Sequence, residues 1–138
     1  MIQVRVGSNQ DFLRLTADST EDGPPRCLLA ELQLDGLSAS VLLAQHYATG
    51  FADLAEFFQE HGDDWRGWDG VRTWESLEKE LRIDASHQSG HVQLRVTLQR
   101  FRPDWGNDGW TATGDLTIEP GEQLSRIVQD IKVLVTGS

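Results

Sequence analysis

The chain has 138 residues, enough for one domain with its own hydrophobic core and short for two. Its 22 acidic and 12 basic residues leave a net charge of −10, which argues against nucleic acid or an anionic membrane as the main partner and favours a solvated, cytoplasmic protein that meets cationic partners. Cys27 is the single cysteine, so a disulfide-stapled secreted domain is excluded.

Met1 leads directly into Ile2, Val4 and Val6, which alternate with Gln3 and Arg5 as in a half-buried strand. No basic leader or long apolar run precedes them, so neither a signal peptide nor a transmembrane helix is expected. Asp11 to Thr16 reads as a second strand, with Leu13 and Leu15 on one face and Phe12 and Arg14 on the other. Ser19 to Pro25 is a loop by composition.

Leu28, Ala30, Leu32 and Leu34 alternate with polar residues and Leu29, and after Asp35-Gly36 the alternation resumes at Leu37, Ala39, Val41 and Leu43. Asp-Gly is a preferred two-residue hairpin turn because both central positions of such a turn take positive φ. The implied pairs are Leu34 with Leu37, Leu32 with Ala39, Ala30 with Val41 and Leu28 with Leu43, all on one apolar face.

Phe51, Leu54, Ala55 and Phe58 have helical spacing, with Thr49 as the expected N-cap and Gly62 as the expected stop. Asp63 to Arg72 reads as an irregular loop. Three more strands follow, around 81–85, 92–99 and 110–118, in an antiparallel meander. Pairing Ala85 with Leu94 and Ile83 with Val96 leaves Gln88 to His91 as a four-residue loop. From Gly121 to Val135, the residues Leu124, Ile127, Val128, Ile131, Leu134 and Val135 form the strongest helical stripe in the chain. The expected fold is α+β: about seven antiparallel strands, as a sheet or sandwich, with one short central helix and one C-terminal helix, in a single globular domain over 1–138. The two runs of strands, each followed by a helix, have the layout of a duplicated plan, although their sequences do not match.

Few constellations carry chemistry. His87 and His91 have metal-pair spacing, but the hairpin register separates them and neither a cysteine nor a supporting helix joins them, so no metal site and no cofactor are expected. His46 and His61 have no partner recognisable from sequence. Nucleophile motifs and phosphate-binding glycine loops are absent. The carboxylates Asp63-Asp64 and Glu75, Glu78, Glu80 read first as a solvated acidic face.

The run Trp65-Arg66-Gly67-Trp68-Asp69-Gly70-Val71-Arg72-Thr73-Trp74 holds three of the five tryptophans, and Trp105 and Trp110 lie in or beside a second loop, Arg102 to Gly109. Between Phe51 and Asp84 there are ten acidic residues against four basic ones. Trp74 and Trp110 have strand patterning that points them inward as plugs of the sheet, which leaves Trp65 and Trp68 as the expected exposed pair. An aromatic anchor ringed by Asp63, Asp64 and Asp69 suits a cationic protein partner.

Gly67-Trp68-Asp69-Gly70, with Trp74-x-Ser76-Leu77-Glu78 and the Gly90-His91-Val92 hairpin, resembles a family of small bacterial proteins of unknown function along nearly the whole chain. The order of elements is more remotely similar to that of immunity proteins of cell-wall-associated polymorphic toxins. Neither resemblance implies catalytic residues. The leading expectation is a non-enzymatic, acidic interaction protein, in its sharper form a toxin-neutralising immunity protein that binds through Trp65, Trp68, Asp63, Asp64 and Asp69. The alternative is a small-ligand-binding module with a tryptophan-lined pocket. A hydrolase using Asp63, Asp64, Asp69 or His87 comes third.

Overall fold

Two successive antiparallel meanders, each closed by a helix, make up the computed structural model, which describes residues 2–17, 23–100 and 109–137. The first meander is β1 (Ile2–Gly7), β2 (Phe12–Ala17), β3 (Cys27–Leu34) and β4 (Leu37–Ala44), followed by α1 (Ala52–Asp63). The second is β5 (Arg72–Glu75), β6 (Leu81–Gln88), β7 (His91–Arg100) and β8 (Trp110–Ile118), followed by α2 (Glu122–Thr136). Each set of four strands forms its own sheet, in chain order. The fold is thus α+β as expected, with eight strands among the described residues. The added strand, β5, completes the second meander, so the two halves share one plan of four strands and a helix.

Register follows the apolar alternation. The β3–β4 pairs are Leu34 with Leu37, Leu32 with Ala39, Ala30 with Val41 and Leu28 with Leu43, as the pattern requires. The β6–β7 pairs include Ala85 with Leu94 and Ile83 with Val96. Two local expectations are corrected. At Asp35-Gly36 only Gly36 takes positive φ, at 80°. At the β6–β7 turn Gln88 pairs with His91, so the loop has two residues, Ser89 and Gly90, both at positive φ (52° and 78°). The turn type expected of the first hairpin belongs to the second.

The inner faces of both sheets and the apolar faces of both helices share one continuous core. Helices α1 and α2 pack on each other, and α2 also lies along β1. All six stripe residues of α2 are buried. Two corrections apply to α1. Its N-cap is Phe51, without a side-chain cap, while the Thr49 carbonyl accepts a hydrogen bond from the Ala52 N–H at 3.2 Å. Gly62 lies inside the helix, where a Cβ would stand 3.1 Å from Val128 Cγ2; it lets α1 approach α2 rather than ending α1.

Trp74 is buried on β5 opposite Ile83, in keeping with its inward patterning. Trp110 is not a plug. It starts β8 opposite Arg100, at the end of the sheet, and stays 38% exposed. Trp105 and the Ser19-to-Asp22 part of the first loop lie outside the described residues.

Candidate functional site

The C-terminal end of α1 continues the stripe Leu54, Phe57, Phe58 to His61, so His61 faces the core and is 1% exposed. The chain then turns, with the Gly67 N–H donating to the Asp64 carbonyl at 2.9 Å, and brings Trp68 back over the helix end. The Trp68 ring lies 4.6 Å from that of His61 and 5.5 Å from that of His87 on β6. Its indole N–H points to the Ala85 carbonyl at 3.4 Å, a long hydrogen bond. The Arg72 guanidinium sits 4.8 Å from the Trp68 ring and donates to Asp64 Oδ2 at 2.8 Å. Gly67 takes a φ of 138°, and a Cβ there would stand 3.3 Å from His87 Nδ1, so glycine serves both the turn and the close approach.

Two distant elements and one loop thus build an aromatic and histidine cluster. It leaves polar atoms without partners: both ring nitrogens of His61, Nε2 of His87 and Nη1 of Arg72, all buried. Burial first, and then the Arg72 charge, push the His61 pKa down to about 4. The Asp64 carboxylate and the Phe57 carbonyl one turn back pull weakly the other way, the latter outside hydrogen-bonding geometry. His61 is therefore neutral at pH 7.

The expected exposed pair is split by this arrangement. Trp65 is exposed, at 47%, with the Arg66 guanidinium 5.1 Å from its ring. Trp68 instead packs against the core, because His61 and His87 supply it with two ring neighbours that its loop position does not reveal. Asp63 accepts a hydrogen bond from Gln59 Nε2 at 2.9 Å, Asp64 is held by Arg72, and Asp69 is exposed. Asp63 and Asp64 thus have separate partners, and His87 is turned to Trp68 and Gly67. His91, at the start of β7, contacts Glu119, just past β8, at 3.0 Å. No group of three or more His, Cys, Asp or Glu side chains among the described residues could hold a metal ion. No helix among them is long and apolar enough to cross a membrane.

A depression of about 470 Å³ lies on the outer face of the second sheet. Its charges already satisfy one another, Arg82 with Asp84 at 3.1 Å and Arg95 with Asp115 at 2.9 Å. A ligand there would have to compete with those pairs.

Among known families, the model of a family of unknown function, DUF6228, matches residues 4–138. The chain belongs to the DUF6228 family. No curated protein and no solved structure matches it. DUF6228 membership therefore brings no residue roles with it, and the site stands on its own geometry.

That geometry separates the two loop tryptophans in this DUF6228 chain by experiment. Trp68→Ala opens a cavity beside His61 and is expected to cost about 3 kcal/mol, the low end for a large aromatic because the ring is only partly buried. Chemical denaturation measures it, and an unchanged midpoint would show that Trp68 does not pack as described. Sequence reading missed His61, although its helical spacing from Leu54, Phe57 and Phe58 is a signal that places it on the buried stripe; its contact with Trp68 has no such signal.

Proposed function

We propose that this chain is a non-enzymatic binding protein that engages a cationic protein partner through the Trp65 loop. The observation that supports this reading is the half-exposed Trp65 ring, which already holds the Arg66 guanidinium and stands between the exposed Asp63 and Asp69 in the chain. The loop beneath it is braced by Trp68 and by the Arg72–Asp64 ion pair, so little ordering cost accompanies binding. A partner arginine replacing Arg66 over the ring would gain a cation–π contact, with the carboxylates speeding its approach. The sharper form of the reading makes the partner a basic toxin and this chain its immunity protein.

Trp65→Ala is the test. It should leave the melting temperature unchanged, since the ring is not core, and weaken a basic partner captured by the wild-type protein by roughly 2 kcal/mol or more, about 30-fold. Asp63→Asn with Asp69→Asn should slow association and flatten its salt dependence. Partners held equally by wild type and Trp65→Ala, or partners that are acidic, would overturn the reading.

A second reading, a small-ligand module, draws on the unpartnered nitrogens of His61, His87 and Arg72. A small molecule that carries both donors and acceptors would satisfy them, since a neutral imidazole presents one N–H and one bare nitrogen. Its binding would quench Trp68 fluorescence in wild type and in Trp65→Ala alike, which separates it from the first reading.

A further inference from the structure

Every open sheet has edges, and edge strands are normally blunted by charge, proline, a bulge, shortness or a covering element. Among the described residues three of the four sheet edges follow that rule. β1 carries Arg5, has α2 along it, and gives its Gly7 carbonyl to Gln123 Nε2 at 3.1 Å. β5 has only four residues, with Arg72 and Glu75 among them, and β8 carries Asp115.

β4 does not follow the rule. It runs eight residues, Leu-Ser-Ala-Ser-Val-Leu-Leu-Ala, without a charge or a proline, and pairs with β3 over its full length without a bulge. Among the described residues no strand pairs with its other side. The hydrogen-bonding phase of the ladder is fixed at its end, where the Gln45 N–H donates to the Arg26 carbonyl at 3.1 Å. Antiparallel strands alternate, so Leu37, Ala39, Val41 and Leu43 bond to β3, while Ser38, Ser40, Leu42 and Ala44 turn their N–H and C=O groups to the open side.

A groove of about 520 Å³ runs beside this edge. Ser40 and Leu42 form one wall, and Glu78, Glu80 and Arg100 belong to the other. Leu42, 61% exposed, and its cross-strand partner Leu29, 37% exposed, make an apolar pair on the outer face. The ionisable groups of the groove are net negative, as is the whole chain at −10.

We infer that β4 is a docking edge for an extended cationic segment of a partner protein, which adds to the first sheet as a fifth strand. Main-chain hydrogen bonds to Ser40 and Leu42 hold the segment, alternate apolar side chains meet Leu29 and Leu42, and its lysines or arginines meet Glu78 and Glu80. A second copy of this chain is the less suitable occupant, because self-pairing would bring together two bodies of charge −10. The inference is independent of the Trp65 loop.

The probe is a short capped peptide of alternating lysine and valine, titrated into the full chain and followed by amide NMR and hydrogen exchange. The peptide should protect the Ser40 and Leu42 amides, and Trp65→Ala should not alter its binding. Ser40→Pro removes one outward N–H while sparing the bonds to β3, and should weaken binding by about tenfold with the remaining spectrum intact. Should that variant unfold, Ser40→Lys keeps the amide and sets a like charge against the peptide, with the same expected loss. Equal binding by the Ser40 variants, peptide binding without protection at β4, or equal binding of a glutamate–valine peptide would each overturn the inference. So would a concentration-dependent dimer of the free protein, with Ser40 and Leu42 already protected, which would assign the edge to a second copy.

Discussion

Truncation before Gly121 yields an unfolded or insoluble product. α2 buries Leu124, Ile127, Val128, Ile131, Leu134 and Val135 against α1 and β1. Burial of such a side chain stabilises by roughly 1.5–3 kcal/mol. Even with that figure treated as an upper bound, losing all six matches or exceeds the typical total stability of about 5–15 kcal/mol. The loss does not stop at α2, because the helix packs along β1, whose Val4 and Val6 are buried, and against the Gly62 face of α1. A milder version is quantitative: Ile131→Ala, at a fully buried position, should cost about 2–5 kcal/mol and lower the melting temperature by roughly 10 °C. Lys132→Ala, one residue along on the exposed side, should stay within about 0.5 kcal/mol of wild type. A truncated chain with a cooperative melt like that of the full chain would remove α2 from the core.

The elements that could be read from sequence are those whose own residues determine them. The hairpin of β3 and β4 has eight alternating residues on each side and a turn dipeptide between them, so register and face follow from the chain alone. α2 has a stripe long enough to admit one reading. β5 is different: four residues, with Trp74 its one apolar side chain, make no periodic pattern, and it is a strand because β6 is there to pair with it. The Ser89-Gly90 turn escaped for a related reason. Serine seldom takes positive φ unaided, and here the ladder on both sides, from Gln88 with His91 onward, imposes it. The site was half legible. Composition marked the tryptophan loop, but the sorting of Trp65 outward and Trp68 inward depends on His61 and His87, from a helix and a strand on either side of it in the chain. The β4 edge is legible only once β4 is known to lie last in its sheet, which is a fact of topology and not of pattern.

Acidification destabilises the fold through His61 by about 3 kcal/mol between pH 6.5 and pH 4. In the unfolded chain the ring takes a proton near pH 6.5. In the folded chain burial, and then the Arg72 charge, hold its pKa down to about 4. Above pH 6.5 the ring is neutral in both states and contributes no pH dependence. As the pH falls, the unfolded state binds a proton that the folded state excludes, so stability declines until the folded ring also protonates near pH 4, where the decline levels off. The Asp84 carboxyl does not overlap this window. Burial alone would raise its pKa, but hydrogen bonds from Thr73 and Arg82 and the charges of Arg82 and Arg95 outweigh it, so its pKa lies below 3.8 and its contribution is lost at lower pH. His61→Leu keeps an apolar side chain against Phe57, Phe58 and Trp68 and removes the two unpartnered nitrogens. Urea denaturation of the variant and the wild type at pH 7, 5.5 and 4.5 should give stability differences that shift steadily in the variant's favour toward acid, by roughly 2.5 kcal/mol between pH 7 and pH 4.5. Parallel curves would mean that water reaches the His61 ring in solution. Trp68 would then no longer seal the end of α1, and both loop tryptophans would be available to a partner.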